Sequence, residues 1–154
     1  MLSQKNRFSS KKLDFAFFFS LVLRKFLSQL MRDGKKSKAE KILKSVFIKI
    51  SLKGYSPVKT VIFAVNNVKP FAEVRQVRLK GKSFQVPFPI QISRQISSSL
   101  KIILSSSKNK KNFEDSLVSE LIDSSLNRSS SVKTTLALHK LASQNRLFTH
   151  YRWF

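Results

Sequence analysis

The sequence predicts a mainly α fold, a helical bundle of about six helices with a protruding β-hairpin arm. Three observations carry this expectation. Apolar residues recur at the i, i+3, i+4 spacing of a helix face along most of the chain. One segment, 71–86, departs from that period, with β-branched and aromatic residues alternating with cations around a glycine. The hydrophobic fraction of 42% over 154 residues is enough for a buried core, which the absence of cysteine leaves to packing alone. One domain, 13–154, is therefore expected behind a basic flexible extension at 1–12, where lysine, arginine and serine form no apolar face.

Each element has its own signal. Leu13–Leu23 (LDFAFFFSLVL) has 11 residues, too few to cross a bilayer of about 30 Å as a helix, so no membrane insertion is expected. It reads instead as part of a buried helix from about Asp14 to Met31, stopped at Asp33-Gly34. Ser37-Lys38-Ala39-Glu40 fits a capping box that opens a second helix. Its core face is Ala39, Ile42, Leu43, Val46, Phe47 and Ile50, and Gly54 ends it. Ser56-Pro57 starts a third helix, with Val58, Val61, Ile62 and Val65 inward and Lys69-Pro70 as its end. The arm follows at about 71–88, turning at Lys80-Gly81-Lys82. Pro87 and Pro89 are expected to limit the pairing of its second strand. Because a lone hairpin is marginal in water, the arm should lean on a helix or a partner. Ser93 to about Ser106, a segment from Asn112, and a last helix from about Ser131 towards His150 complete the chain. The first carries Ile96, Leu100, Ile103 and Leu104, and the second carries Leu117, Leu121 and Ile122.

Thirty Lys plus Arg against 8 Asp plus Glu give a net charge of +22, about one unpaired cation per seven residues. Such a balance points to a polyanionic partner. The excess is +6 in residues 1–32, +4 in 33–50, +11 in 51–112 and only +1 in 113–154, so it lies in the front three-quarters of the chain, with the largest share in the segment that holds the arm. Catalysis is not expected. Only His139 and His150 are available, 11 residues apart, and no nucleophile elbow, Walker loop or dinucleotide fingerprint is present. No cofactor is expected, apart from structural Mg2+ that would come with a bound RNA. On charge alone an organellar architectural DNA-binding protein is the alternative to an RNA-binding one.

Several segments together resemble the seventh small-subunit ribosomal protein family. They are Leu30-Met31-Arg32-Asp33-Gly34-Lys35-Lys36-Ser37-Lys38-Ala39-Glu40, then Ala64 with Asn67-Val68-Lys69-Pro70, and Glu73-Val74-Arg75 leading to Gly81 and Gln85-Val86-Pro87. The last group is His139, Leu141-Ala142, Asn145-Arg146, Phe148 and His150-Tyr151-Arg152-Trp153. Four motifs in this order cover the chain from about residue 14 to its end.

The resemblance implies a structural constituent of the small ribosomal subunit. Such a protein would bind the 3′ major domain of small-subunit rRNA, nucleate assembly of the subunit head beside neighbouring head proteins, and line the tRNA exit site and the path of departing mRNA. By matching position, the residues implied for rRNA are Arg32, Lys35, Lys36, Lys38, Lys41, Lys69, Arg94, Lys101, Lys133, Arg146, Tyr151 and Arg152. Those implied for the arm, in contact with tRNA, mRNA or rRNA, are Arg75, Arg78, Lys80, Lys82 and Gln85. The chain departs from the family where Lys80-Gly81 replaces two glycines, where Lys101-Ile102 replaces an Arg-Trp pair, and where Lys133 alone remains of a basic cluster. The richness in Phe, Lys, Ser, Ile and Leu and the aromatic ending resemble mitochondrially encoded members, so the mitochondrial matrix is the expected location, with the plastid as the alternative.

Overall fold

The apolar stripes read from the sequence meet in one cluster. In the computed structural model, residues 18–79, 81–108 and 112–153 are described; the 1–12 extension, the entry to the first helix and Lys80 lie outside them. The elements are α1 (18–30), α2 (Lys36–Leu52), α3 (Pro57–Val68), β1 (Ala72–Leu79), β2 (Lys82–Pro89), α4 (Ile92–Lys108), α5 (Phe113–Ser125) and α6 (Ser130–Gln144). A 3₁₀ segment, Arg146–Trp153, follows. Val22 and Phe26 of α1, Val46 and Ile50 of α2, Val61 and Val65 of α3, Leu100 and Ile103 of α4, and Leu117 and Leu121 of α5 are all fully buried in this cluster. Every one sits on the helical spacing that closes an apolar face, so burial of these side chains, at about 1.5–3 kcal/mol each, holds the body together.

Helix ends follow local chemistry, with one correction. The capping box at Ser37 does not form, because α2 begins earlier, at Lys36, with Lys35 in the cap position and no side-chain cap bond. Asp33 and Gly34 both take positive φ (53° and 70°), and the Lys35 and Lys36 N–H groups bond back to Arg32 O and Gly34 O. That turn leads the chain into the helix before Ser37 is reached, so Glu40 faces Lys36 across one turn at 3.8 Å instead of capping. At the other end, Gly54 N–H bonds to Ser51 O and Tyr55 N–H to Ile50 O, with Gly54 at φ 79°. This pair of bonds is a Schellman ending, and its left-handed residue is why a glycine stands there.

The arm is an antiparallel ribbon paired from Ala72↔Pro89 to Leu79↔Lys82. Pro87 and Pro89 therefore do not shorten it, contrary to expectation. Ile90 N–H donates to Phe71 O; stepping by two residues, Phe88, Val86 and Phe84 are the donors toward β1, and both prolines fall on positions whose missing N–H would face outward. The arm leans, as expected, on the C-terminal part of the chain. Phe84 packs on Phe148 and Tyr151 with ring centroids 5.4 and 5.1 Å away, and Val86 and Pro87 are buried.

The last helix also needs correction, since α6 stops at Gln144 rather than running towards His150. Asn145 Nδ2 bonds back to Leu141 O, and the chain winds on as the 3₁₀ segment that seats Phe148 and Tyr151 against the arm.

A polar seam joins α6 to the body. Ser129 caps α6 by accepting from Val132 N–H at 3.2 Å, and its hydroxyl meets Ser124 Oγ at 3.0 Å. Glu120, 4% exposed, accepts from Ser131 N–H at 3.0 Å and from Ser131 Oγ–H at 2.5 Å. A buried carboxylate is tolerated at that place because it meets orphan N–H donors at the positive end of a helix. Thr135 Oγ donates to Val68 O at 2.8 Å.

Candidate nucleic-acid interface

Three groups of cations line the exterior. The first surrounds the start of α2, where Arg32, Lys35, Lys36, Lys38 and Lys41 are all exposed. Lys35 lies 3.6 Å from Asp33 and Lys36 3.8 Å from Glu40. Exposed pairs of this kind are worth about 0–1 kcal/mol, so both ammonium groups can exchange a carboxylate for a phosphate at little cost.

The second group is the arm. Strand alternation puts Arg75 and Lys82 on one face with Phe84 and Phe88, and Arg78 and Gln85 on the other. Arg75, Arg78, Lys82 and Gln85 are exposed. Arg75 and Arg78, both implied for the arm by the resemblance, thus stand on opposite faces of the ribbon. Gln85 Oε1 is tied loosely to Asn145 Nδ2 at 3.4 Å. Arg75 pairs with Glu73 and lies over the Phe88 ring, 5.1 Å from its centroid. Arg94, in the first turn of α4, takes the other Glu73 oxygen at 3.1 Å. Arg152, half-buried, donates through Nε to Pro87 O at 2.6 Å.

The third group is C-terminal, and the residue sums hid it. The +1 of residues 113–154 combines four acids, all on α5, with five cations, all beyond it. Glu114 and Asp115 lie 3.0 and 2.8 Å from Lys49 Nζ, Asp123 is exposed on the same helix, and Glu120 is buried in the seam. Residues 126–153 hold no acid, and Arg128, Lys133, Lys140 and Arg146 are exposed there. Sequence reasoning missed Arg128 and Lys140, although splitting the segment at the end of the fifth helix would have revealed them. Lys101 is exposed on α4, and Lys69 is half-buried with its Nζ 3.4 Å from Asn66 Oδ1. Tyr151 is half-buried among Phe84, Phe148 and His150, so its ring is spent on seating the arm.

Electrostatics separate the acidic end of α5 from these surfaces. Hydrogen bonds from Ser45 and then Lys49 hold Glu114 below its ordinary value, and the bond from Lys49 does the same to Asp115. The bonds to Asp115 and Glu114 in turn raise Lys49. His139 serves the architecture of the arm. Its Nε2 accepts the Phe71 N–H at 3.1 Å and its ring stacks on Phe71, fixing the base of the arm to α6. Among the described residues no group of His, Cys, Asp and Glu could hold a metal ion, and no helix is long and apolar enough to cross a membrane.

The family model for ribosomal protein S7p/S5e matches residues 1–146. The chain belongs to that family. It is 39% identical over 137 residues to small ribosomal subunit protein uS7 of Syntrophus aciditrophicus, covering 87% of this chain and 88% of that protein. The uS7 of Dinoroseobacter shibae is 38% identical over 139 residues, covering 88% and 89%, and that of Helicobacter hepaticus 38% identical over 135 residues, covering 86% and 87%. The S7p/S5e family is structural and not enzymatic, and rRNA binding is general within it. The chain is accordingly a structural protein of the small ribosomal subunit.

Proposed function

We propose that this protein binds the 3′ major domain of small-subunit rRNA, nucleates assembly of the subunit head, and turns its arm towards departing tRNA and mRNA in a mitochondrial small subunit. One observation carries the reading. Three of the four acids of α5 are gathered on Lys49 or buried against α6, which leaves exposed cations at the α2 turn, on the arm and beyond α5. Phosphate contacts fix position and orientation, as a protein that organises an rRNA domain requires. Lys35, Lys36 and Lys38 at the α2 turn, with Lys41, Lys101, Lys133 and Arg146, are the rRNA contacts in this reading, and Arg78, Lys82 and Gln85 present the arm. The mitochondrial placement rests on composition, with Phe, Lys, Ser, Ile and Leu used heavily.

The test is binding of a folded 3′ major domain transcript across a salt series, competed with random duplex DNA, together with sedimentation of the protein with organellar small subunits at moderate salt. Replacing Lys35 and Lys36 together by Ala is expected to make the salt dependence shallower by roughly 1.5 in the log–log slope, about 0.7–0.9 for each phosphate contact. An unchanged slope removes the phosphate role of the α2 turn. Equal competition by duplex DNA removes the rRNA reading.

A further inference from the structure

At the base of the arm, Arg75, Arg94 and Arg152 line one groove of about 460 Å³, floored by Phe88, Pro89 and Ile90. Three guanidinium groups in a single concavity repel one another, and one carboxylate compensates them. Glu73, whose side chain is 22% exposed, gives one oxygen to Arg75 and the other to Arg94. It is the only acid between Glu40 and Glu114. Arg75 is held flat by Phe88 and Arg152 is anchored by its bond to Pro87 O, so two of the three forks are oriented before any ligand arrives. With Glu73 in place, the groove keeps a net charge of about +2.

From this geometry we infer that the groove is a seat for one RNA phosphodiester, and that Glu73 is its resident counter-ion, occupying the arginine forks until a phosphate takes them over. A planar carboxylate and a phosphate offer the same paired oxygens to a guanidinium, so the exchange needs no rearrangement of Arg75. Glu73 would then lower the affinity of the groove for stray anions. The inference rests on the RNA-binding reading, and it adds a specific subsite and a carboxylate that governs access to it.

The experiment uses the full chain, with inorganic phosphate as the first probe and a short single-stranded RNA as the second. In the wild-type protein the Nε–H resonances of Arg75, Arg94 and Arg152 are expected to follow one saturating phosphate isotherm. Exposed Arg146 should drift only with ionic strength, as a chloride series shows. Glu73→Gln should tighten the phosphate isotherm by about three- to tenfold, the size of one partly screened charge removed at contact distance. Arg94→Gln should weaken it. With the RNA, Arg94→Gln should make the log–log salt slope shallower by up to about 0.7, one lost single-strand phosphate contact, whereas Glu73→Gln should tighten binding without adding a contact.

The inference is overturned if the three arginines drift like Arg146 in the wild-type protein, a result that does not depend on any variant folding. It is equally overturned if phosphate saturates the groove but Glu73→Gln leaves the phosphate isotherm unchanged, or if Arg94→Gln leaves the RNA slope unchanged. Each of these results can occur while the wild-type protein still binds the 3′ major domain transcript. Loss of that binding, with the phosphate isotherm intact, would count against the proposed function instead.

Discussion

The body of the molecule and the layer formed by the arm, α6 and the 3₁₀ segment are built on different principles. In α3, Thr60, Val61, Ile62, Ala64, Val65 and Val68 are buried, half of a 12-residue helix, whereas in the 15-residue α6 only Ser131 and Thr135 are. No fully buried member of the core cluster lies beyond Ile122. The body is closed by apolar area, which is non-directional and cooperative. The outer layer is held by directed contacts: Glu120 on Ser131, Thr135 on Val68 O, His139 on Phe71 N–H, Arg152 on Pro87 O, and the rings of Phe84, Phe148 and Tyr151. The difference teaches how one small chain can be rigid and strongly cationic at once. Cations are kept out of the apolar centre: some stand on the outer faces of the body helices, and the rest on a layer fastened by directed bonds.

A substitution in each region should give a different kind of loss. Leu100→Ala, in the centre of the body, is expected to cost about 2–5 kcal/mol and to lower the stability of every element together. Urea unfolding followed by helix content and by amide exchange in the arm should then show one coincident transition. Two separated transitions would mean that the outer layer has stability of its own. Phe84→Ala removes a half-buried ring from the aromatic seat of the arm and is expected to cost less, about 1–2 kcal/mol. Its signature is local: faster amide exchange in β1 and β2 with α3 to α5 unchanged. A uniform loss of protection across the body would show that the arm contributes to the core after all.

The sequence made the body legible because helix faces are written in spacing. Leu43, Val46, Ile50, Val61, Val65, Leu100 and Leu121 are all where a 3.6-residue period puts them. The arm was legible from alternation and one glycine. What spacing could not show was competition between local options. The Ser37–Glu40 pattern satisfies the capping rule, yet the Asp33-Gly34 turn had already started the helix. The prolines of β2 satisfy the rule against strand pairing, yet they fall on the outward positions of a two-stranded ribbon. The cations of the candidate site were legible as residue types, and their partners were not. The Glu73 bridge between Arg75 and Arg94 crosses from the arm to α4, and only the folded chain brings these groups together. The charge sum over residues 113–154 concealed a surface for a similar reason, since it averaged an acidic helix with the basic stretch that follows it.

The smallest expected effect lies in the body, where α2 and α5 meet through charge instead of area. Glu114 and Asp115 open α5, where carboxylates also suit the helix dipole, and both lie on Lys49 of α2. Their values in the folded protein lie below the ordinary carboxylate range, so their contribution is complete above the unfolded values and is lost as pH falls through the lowered folded ones. Lys49 is raised, so its contribution is complete below its ordinary value and fades only as pH climbs through the higher folded one. Between these limits the α2–α5 contact should be insensitive to pH, and stability should decline on acidification. Because all three side chains are at least a third exposed, the decline is small and shrinks further with added salt. Lys49→Met is expected to flatten this acid limb in urea midpoints measured from neutral pH downward, while leaving the packing of Val46 and Ile50 intact. If the variant loses stability on acidification as steeply as the parent, the dependence does not come from the α2–α5 contact.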